Sequence, residues 1–129
     1  MIIGIGVDVV DVERFQHQIE ASPRLAERLF SAHERELPLR SLAARYAAKE
    51  ALIKALGGSD GVNWQDIEVP RLGERQAPNY VLTGETAATV AARGVTSLHL
   101  SLSHDAGIAV AYAVLEGAAP DGGGAAEPG

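Results

Sequence analysis

Cysteine is absent from this 129-residue chain, and aromatic residues make up only 5 % of it. The missing thiols exclude disulfides and cysteine-ligated zinc. No apolar run approaches the roughly 20 residues that a membrane-spanning helix needs. Asp8 interrupts the apolar N-terminal stretch, and no basic segment precedes it, so a signal peptide is not expected. These absences predict no membrane association and allow a cytoplasmic protein, which is the location we expect.

Positive charge is also scarce, because 11 Lys and Arg residues stand against 17 Asp and Glu residues and the net charge is −6. That balance argues against a general nucleic-acid-binding protein. The distribution is uneven, since residues 14–54 hold eight of the 11 basic residues and only five of the acidic ones. A basic half of this kind would attract an anionic partner. The alternative is a set of ordinary amphipathic helices with solvated arginines.

Apolar residues make up 47 % of the chain, and with so few aromatics the core must be built from Ala, Val, Leu and Ile. The strands and helices predicted along the chain indicate one α+β domain over residues 1–116, with a long helix packed on a small, largely antiparallel sheet. Residues 117–129 contain no apolar side chain larger than Ala or Pro and are predicted to be a disordered tail. Periodicity predicts an N-terminal strand, helices at about 11–20, from Pro23 and at 41–56, strands at 66–69 and 79–83, a helix at 85–93 and a final hairpin. Asp11 is the expected N-cap of the first helix, Ser31 and Glu34 fit a capping box before a short turn that ends near Pro38, and Gly57 is expected to end the long helix.

The predicted long helix carries charges where a plain amphipathic helix would carry apolar side chains. At about 100° per residue, Lys49 falls within the apolar stripe, and alanines form a small-residue face roughly opposite. Glu50 and Lys54 lie one turn apart on the arc between, with Tyr46 beside them. Partly buried charges of this kind need a partner, a metal or an anionic ligand. The alternative is a surface helix with a simple Glu–Lys pair.

Two further segments place polar groups on predicted strands. Asp8 shares one face of the N-terminal strand with two glycines, so another element is able to approach this carboxylate closely. Over 97–103, leucines alternate with serines and a histidine, which predicts a strand with one apolar face. The turn residues at 105–107 then begin a second alternating segment. We therefore expect a hairpin with His104 at its mouth.

Three motifs follow one another in an order that resembles a known family. They are Gly-Ile-Gly-Val-Asp at 4–8 with Arg14 six residues later, Arg-Tyr-Ala-Ala-Lys-Glu-Ala-Leu-Ile-Lys-Ala at 45–55, and Ser-Leu-Ser-His at 101–104. Together they resemble the 4'-phosphopantetheinyl transferases, specifically the short holo-[acyl-carrier-protein] synthase type. Each motif alone is weak, but the resemblance extends from residue 4 to about residue 116. The turn at 73–78 is longer than in many relatives.

The resemblance implies an enzyme that moves 4'-phosphopantetheine from coenzyme A to a serine of an acyl carrier protein, releasing adenosine 3',5'-bisphosphate. This reaction serves fatty acid or polyketide biosynthesis, and the family forms trimers with coenzyme A bound between protomers. Asp8 and Glu50 would hold Mg²⁺, or Mn²⁺, because hard oxygen ligands suit these ions. Lys54 would contact the pyrophosphate. Either Glu50 or a metal-bound water would accept the proton of the carrier serine.

The resemblance also implies residues that bind the two substrates without taking part in the chemistry. Arg45, Ser103 and His104 would hold the 3'-phosphate and adenine end of coenzyme A. Arg14 would face the acidic carrier protein, where exposed charges mainly set encounter rate and partner choice. Two roles stay open for Lys49, which is either a second phosphate contact or a structural partner for a carboxylate.

Other functions lack the motifs that they need. A dinucleotide fingerprint would need a third glycine at position 9, where Val9 stands, and there is no P-loop. The consecutive residues 103–105, Ser-His-Asp, cannot form a hydrolase triad. A second hypothesis is a non-catalytic module that docks a carrier protein and has kept only the fold. The intact Asp8, Glu50 and Lys54 argue against it.

Overall fold

The computed structural model describes residues 1–70 and 76–118, and its elements follow the predicted order. Within these ranges no helix combines the length and the apolar character that crossing a membrane requires. Most of the predicted tail, and part of the 73–78 turn, lie outside the described residues. The elements are β1 (Ile2–Asp11), α1 (Val12–Ala21), α2 (Pro23–Leu29), α3 (Leu39–Leu56), β2 (Ile67–Glu68), β3 (Val81–Leu82), α4 (Gly84–Ala92), β4 (Val95–Asp105) and β5 (Ile108–Gly117), with single 3₁₀ turns at Glu34–Glu36 and Trp64–Asp66.

The strands form two antiparallel sheets. The larger sheet has the order β1-β5-β4, and β2 pairs with β3 in the smaller one. The 18-residue helix α3 packs across β1 and β5, which confirms the predicted α+β class with a long helix on a small antiparallel sheet. β5 ends at Gly117, one residue past the predicted domain boundary.

Several predicted boundaries differ from the observed ones, for local reasons. Helix α3 begins at Leu39, two residues before the predicted start, because the Pro38 carbonyl already accepts a helical hydrogen bond from Leu42. The strands predicted at 66–69 and 79–83 contain only two residues each. One cause is that the Val69 amide donates to the carboxylate of Glu34 and not to β3. A side chain distant in the sequence thus ends the ladder.

Small residues form the contact between α3 and the larger sheet. A Cβ atom built at Gly6 or Gly4 would fall far inside van der Waals distance of the Ala51 or Ala55 carbonyl oxygen. Across the sheet, the β5 partners of Gly6 and Asp8 are the buried alanines 113 and 111. The prediction that another element approaches the Asp8 face closely is therefore confirmed.

Four large side chains of β1 point away from α3, whereas Val10 is buried in the core. Ile3, Ile5, Val7 and Val9 are 40–61 % exposed, and Tyr112 of β5 is 46 % exposed on the same side of the sheet. We call these five residues the outer sheet face. A contiguous apolar surface of this kind is typical of an interaction site, because monomeric proteins rarely expose large apolar patches.

The loops that precede α3 follow the predicted capping chemistry. The Asp11 side chain accepts a hydrogen bond from the Arg14 amide and caps α1. Ser31 and Glu34 form the reciprocal hydrogen bonds of a capping box. Gly57 ends α3 with a φ of 85°, a left-handed conformation that favours glycine.

Candidate active site

Four residues predicted from separate motifs line one cleft of about 330 Å³. Asp8 comes from β1, Arg14 from α1, and Glu50 and Lys54 from α3. The local sequence explains the arrangement, since the glycine at position 6 lets β1 lie directly against α3, and Asp8 follows on the same strand face. The i,i+4 spacing of Glu50 and Lys54 then places both on the helix side of the cleft.

Lys54 and Asp8 form an ion pair inside this cleft. The Lys54 Nζ lies 2.9 Å from Oδ1 of Asp8 and also donates to the Val7 carbonyl at 3.1 Å. The hydrogen bond to Asp8 raises the pKa of Lys54. Burial opposes this effect, and the charges of Asp8 and Glu50 add smaller contributions that raise the pKa. Lys54 is 52 % exposed and Asp8 is 14 % exposed. The cleft therefore offers a charged, solvent-accessible ammonium beside two carboxylates.

Tyr46 occupies the inner wall of the same cleft, one helical turn before Glu50. Burial raises the pKa of its phenol to about 12, together with the charge of Glu50, a hydrogen bond to Glu50 and the charge of Asp8. A phenol whose pKa is raised keeps its proton and is able to donate a hydrogen bond. A hydroxyl in this state stabilises the ionised carboxylate that it faces.

An aromatic stack holds the Tyr46 ring. The ring lies between Phe15 of α1, at a centroid distance of 5.3 Å, and Trp64, at 5.7 Å. Phe15 in turn meets Phe30 edge-on at 6.1 Å. Four of the chain's six aromatic residues thus gather behind the cleft. Such ring pairs contribute about 0.5–1.5 kcal/mol each beyond the area that they bury.

Lys49 has the opposite environment to Lys54. Its side chain is fully buried, and its Nζ donates to Glu34 Oε1 at 2.6 Å, to the Leu29 carbonyl at 2.6 Å and to the Trp64 carbonyl at 3.1 Å. Burial lowers the pKa of Lys49, against the opposing effect of Glu34. All three N–H donors are used, so none is available to a phosphate. Of the two roles considered, the geometry favours the structural partner of a carboxylate.

The residues predicted to bind the far end of coenzyme A come from two elements, β4 and α3. His104 and Ser103 are exposed on β4, and His104 lines a cleft of about 320 Å³ together with Arg40. Arg45 is buried on α3, where Nε donates to the Val69 carbonyl at 2.8 Å and a terminal nitrogen donates to Ser41. Arg45 therefore has a structural function of its own.

The two carboxylates fit a hard divalent cation that is shared with a phosphate substrate. Among residues 1–70 and 76–118, no group of three or more His, Cys, Asp or Glu side chains is placed to hold a metal alone. Asp8 and Glu50 supply two oxygen ligands that face an open cleft. Mg²⁺ commonly takes one or two carboxylates and completes its shell with waters and substrate phosphates. These two carboxylates therefore fit a hard divalent cation whose remaining ligands would come from water and phosphate oxygens.

Three contributors to the site were missing from the sequence interpretation. The sequence predicts that Tyr46 lies beside Glu50, and the i,i+4 spacing indicates contact, but no motif gives Tyr46 a role. The sequence indicates only a capping box for Glu34, and no pattern joins it to Lys49, which is 15 residues away. Arg40 is one of eight basic residues in the range 14–54, and only the fold brings it to His104. A further cleft of about 370 Å³, near Arg93 and Leu115, contains no carboxylate among its described lining residues.

Comparison with known proteins identifies the family to which the chain is similar. The sequence model described as the 4'-phosphopantetheinyl transferase superfamily matches residues 4–113. The chain is 61 % identical over 120 residues to the holo-[acyl-carrier-protein] synthase of Clavibacter michiganensis subsp. michiganensis, covering 93 % of this chain and 100 % of that protein. The crystal structure of the Neisseria meningitidis holo-[acyl-carrier-protein] synthase superposes with a TM-score of 0.81 at 26 % identity, covering 90 % of this chain and 99 % of that one.

A third relative has been solved with a ligand. The Helicobacter pylori holo-[acyl-carrier-protein] synthase in complex with coenzyme A has a TM-score of 0.73 at 30 % identity and covers 87 % of this chain and 99 % of that one. The chain belongs to the 4'-phosphopantetheinyl transferase superfamily. Within that superfamily it is an enzyme of the holo-[acyl-carrier-protein] synthase type, as the resemblance of its three motifs predicted.

Proposed function

We propose that this enzyme transfers 4'-phosphopantetheine from coenzyme A to a serine of an acyl carrier protein, with release of adenosine 3',5'-bisphosphate and dependence on Mg²⁺ or Mn²⁺. The observation that carries the proposal is the cleft in which Asp8, Glu50 and Lys54 meet. The Helicobacter pylori relative solved with coenzyme A supports the choice of donor. The holo carrier would serve fatty acid or polyketide biosynthesis, and a cytoplasmic location is compatible with the cysteine-free composition.

The reaction requires the neutralisation of phosphate charge more than covalent help from the protein. The serine oxygen forms a bond to the phosphorus that carries pantetheine, and the bond from this phosphorus to the bridging oxygen breaks. Lys54 is exposed at the cleft and offers its ammonium to the pyrophosphate. Asp8 and Glu50 would hold Mg²⁺, which would act as a Lewis acid towards the same phosphates. The serine proton needs an acceptor, and Glu50 is available for this role, since Asp8 is paired with Lys54 and Asp11 caps α1.

The remaining predicted residues are proposed to bind the substrates. Arg14 is exposed at the cleft and would meet the acidic surface of the carrier protein. Ser103 and His104, next to the turn of the β4–β5 hairpin, would contact the 3'-phosphate and adenine end of coenzyme A. Arg45 would reach the same end only in addition to the backbone hydrogen bonds that it already makes.

We further propose a homotrimer with active sites between protomers. The outer sheet face leaves its five large apolar side chains 40–61 % exposed, and a second copy of the chain is the partner that would cover them. Separation of the Asp8 cleft from the His104 cleft within one chain supports a site that two protomers complete.

Release of adenosine 3',5'-bisphosphate, measured by chromatography, tests the proposed chemistry. We expect release to require an apo carrier protein, coenzyme A and Mg²⁺, to stop with EDTA and to return when Mg²⁺ is restored. Asp8→Asn and Glu50→Gln should each lower kcat about a hundredfold or more, because each removes a hard ligand. Glu85→Gln, an exposed carboxylate on α4 outside the cleft, is the control and should keep full activity.

Two results would contradict this proposal in different ways. Full turnover by both cleft variants at saturating Mg²⁺ would remove the metal assignment. Binding of the carrier protein without product release, under every metal condition, would instead favour a docking module that has lost catalysis.

A further inference from the structure

Tyr46 supplies a hydroxyl that its packing does not require. The ring fills the space between Phe15 and Trp64, and a phenylalanine would fill the same space. Tyr46 and Glu50 line the same cleft, one helical turn apart on α3. The hydroxyl is the part of the tyrosine side chain that is able to donate to this carboxylate. A polar atom placed at a partly buried carboxylate has a function beyond packing, because it selects one arrangement of that carboxylate.

The stack makes Tyr46 a rigid donor. Phe15 lies on one side of the ring with an interplanar angle of 30°, and Trp64 lies on the other side with an angle of 11°. These two partners come from α1 and from the 3₁₀ turn Trp64–Asp66, so the ring is held by elements distant in sequence. Rotation of the ring would break both contacts. The position of the phenol oxygen relative to the cleft is thus set by the fold and not by the side chain alone.

Glu50 itself is less constrained, because it lies at the cleft and is only half-buried. A glutamate of this kind has three side-chain torsions, and it loses their freedom when it binds a cation. A donor that already holds one carboxylate oxygen reduces this loss, which is the general advantage of a preorganised ligand. Interactions of this kind in the outer shell of metal sites orient the ligands and tune affinity.

We propose that Tyr46 is a positioning residue, whose hydroxyl, held by the stack, donates to Glu50 and fixes this carboxylate for the divalent cation. The inference rests on the proposed function, because it takes Glu50 to be a metal ligand. Tyr46 acts through Glu50 and does not contact the reacting atoms.

Direct measurement of Mn²⁺ binding tests the proposal without turnover. Free Mn²⁺ is followed by electron paramagnetic resonance during titration of the whole enzyme, with and without coenzyme A. Tyr46→Phe keeps the ring and removes the hydroxyl, and it should weaken Mn²⁺ affinity about two- to tenfold, the value of one hydrogen bond. Its melting temperature should stay close to that of the wild type, and its KM for the carrier protein should not change.

Tyr80→Phe is the matched control. Tyr80 also donates its hydroxyl to α3, to the Ala48 carbonyl at 2.5 Å, but it lies outside the cleft. Its loss should lower the melting temperature and leave Mn²⁺ affinity unchanged. Glu50→Gln should abolish most Mn²⁺ binding.

The outcomes separate this proposal from the function on which it rests. If the wild type binds no Mn²⁺ even with coenzyme A, the metal site fails and Tyr46 has no such role. If Glu50→Gln loses Mn²⁺ while Tyr46→Phe binds it like the wild type, the metal site stands and the positioning role is overturned. Equal losses of affinity in Tyr46→Phe and Tyr80→Phe would show that general destabilisation is the cause.

Discussion

Two lysines of α3, five residues apart, show how the position of a residue decides its function. Lys49 is fully buried and gives all three N–H donors to Glu34 and two backbone carbonyls. Lys54 is 52 % exposed and pairs with Asp8 at the cleft. Removal of one partner from a buried ion pair leaves an uncompensated buried charge, whereas exposed pairs contribute little to stability.

We therefore expect substitution of Lys49 to reduce mainly stability and substitution of Lys54 to reduce mainly activity. Lys49→Met should lower the free energy of unfolding by about 3–5 kcal/mol, because it leaves the buried Glu34 without its cation. Lys54→Met should lower it by less than about 1 kcal/mol, yet reduce kcat/KM about ten- to a hundredfold through loss of a phosphate contact. Urea unfolding at one protein concentration and steady-state kinetics measure the two effects.

A different result for either variant would contradict the role assigned to that lysine. A stable Lys49→Met variant with greatly reduced coenzyme A affinity would restore the phosphate role for Lys49. A Lys54→Met variant with unchanged kinetics would remove Lys54 from the proposed site. The sequence placed both lysines on α3 but left the role of Lys49 open, because only the fold reveals that Glu34 lies against it.

The elements of the fold were largely predictable, since most depend on local signals. Asp11 at the start of α1, Pro23 at the first position of α2 and Gly57 after α3 each mark a helix end through backbone chemistry, and the structure has the helix ends there. The short strands β2 and β3 were predicted too long, because the Val69 amide is taken by Glu34. This diversion depends on a contact across 35 residues, which a local pattern does not contain.

The packing of α3 on the sheet follows an unusual distribution of side-chain size. Glycines of β1 and alanines of β5 face the helix, and the large residues of β1 face outward. The sequence predicted the two faces of β1 and the close approach at Asp8, because alternation is a local property. It did not predict which residue of α3 would meet the glycines. That contact, at the Ala51 carbonyl, is what brings Asp8 to the cleft of Glu50.

At the scale of the whole molecule, the outer sheet face is an apolar surface whose exposure the fold of a single chain does not explain. Its apolar residues lie on the side of the sheet opposite α3, so folding of one chain does not bury them. A chain of this length has a modest core, and association would bury further apolar area. The proposed homotrimer accounts for both facts.

Light scattering coupled to size-exclusion chromatography measures this association. We expect wild-type enzyme to have the mass of three chains. Ile5→Glu with Val9→Glu, at residues 53 % and 61 % exposed, should give single chains and lose activity, because charges on this face oppose its burial. Val81→Glu changes an exposed apolar residue of β3, outside this face, and should remain trimeric and active. A wild-type mass of one chain, or a trimeric double variant, would contradict the proposed interface.

The central claim, that this cleft joins 4'-phosphopantetheine to a carrier serine, is tested most directly by intact-mass spectrometry of an apo acyl carrier protein. Incubation with the enzyme, coenzyme A and Mg²⁺ should increase the carrier mass by one 4'-phosphopantetheine group. A carrier with its acceptor serine changed to alanine should gain nothing, and the Asp8→Asn enzyme should modify the intact carrier only very slowly. An unmodified carrier after prolonged incubation with folded wild-type enzyme and both substrates would contradict the account.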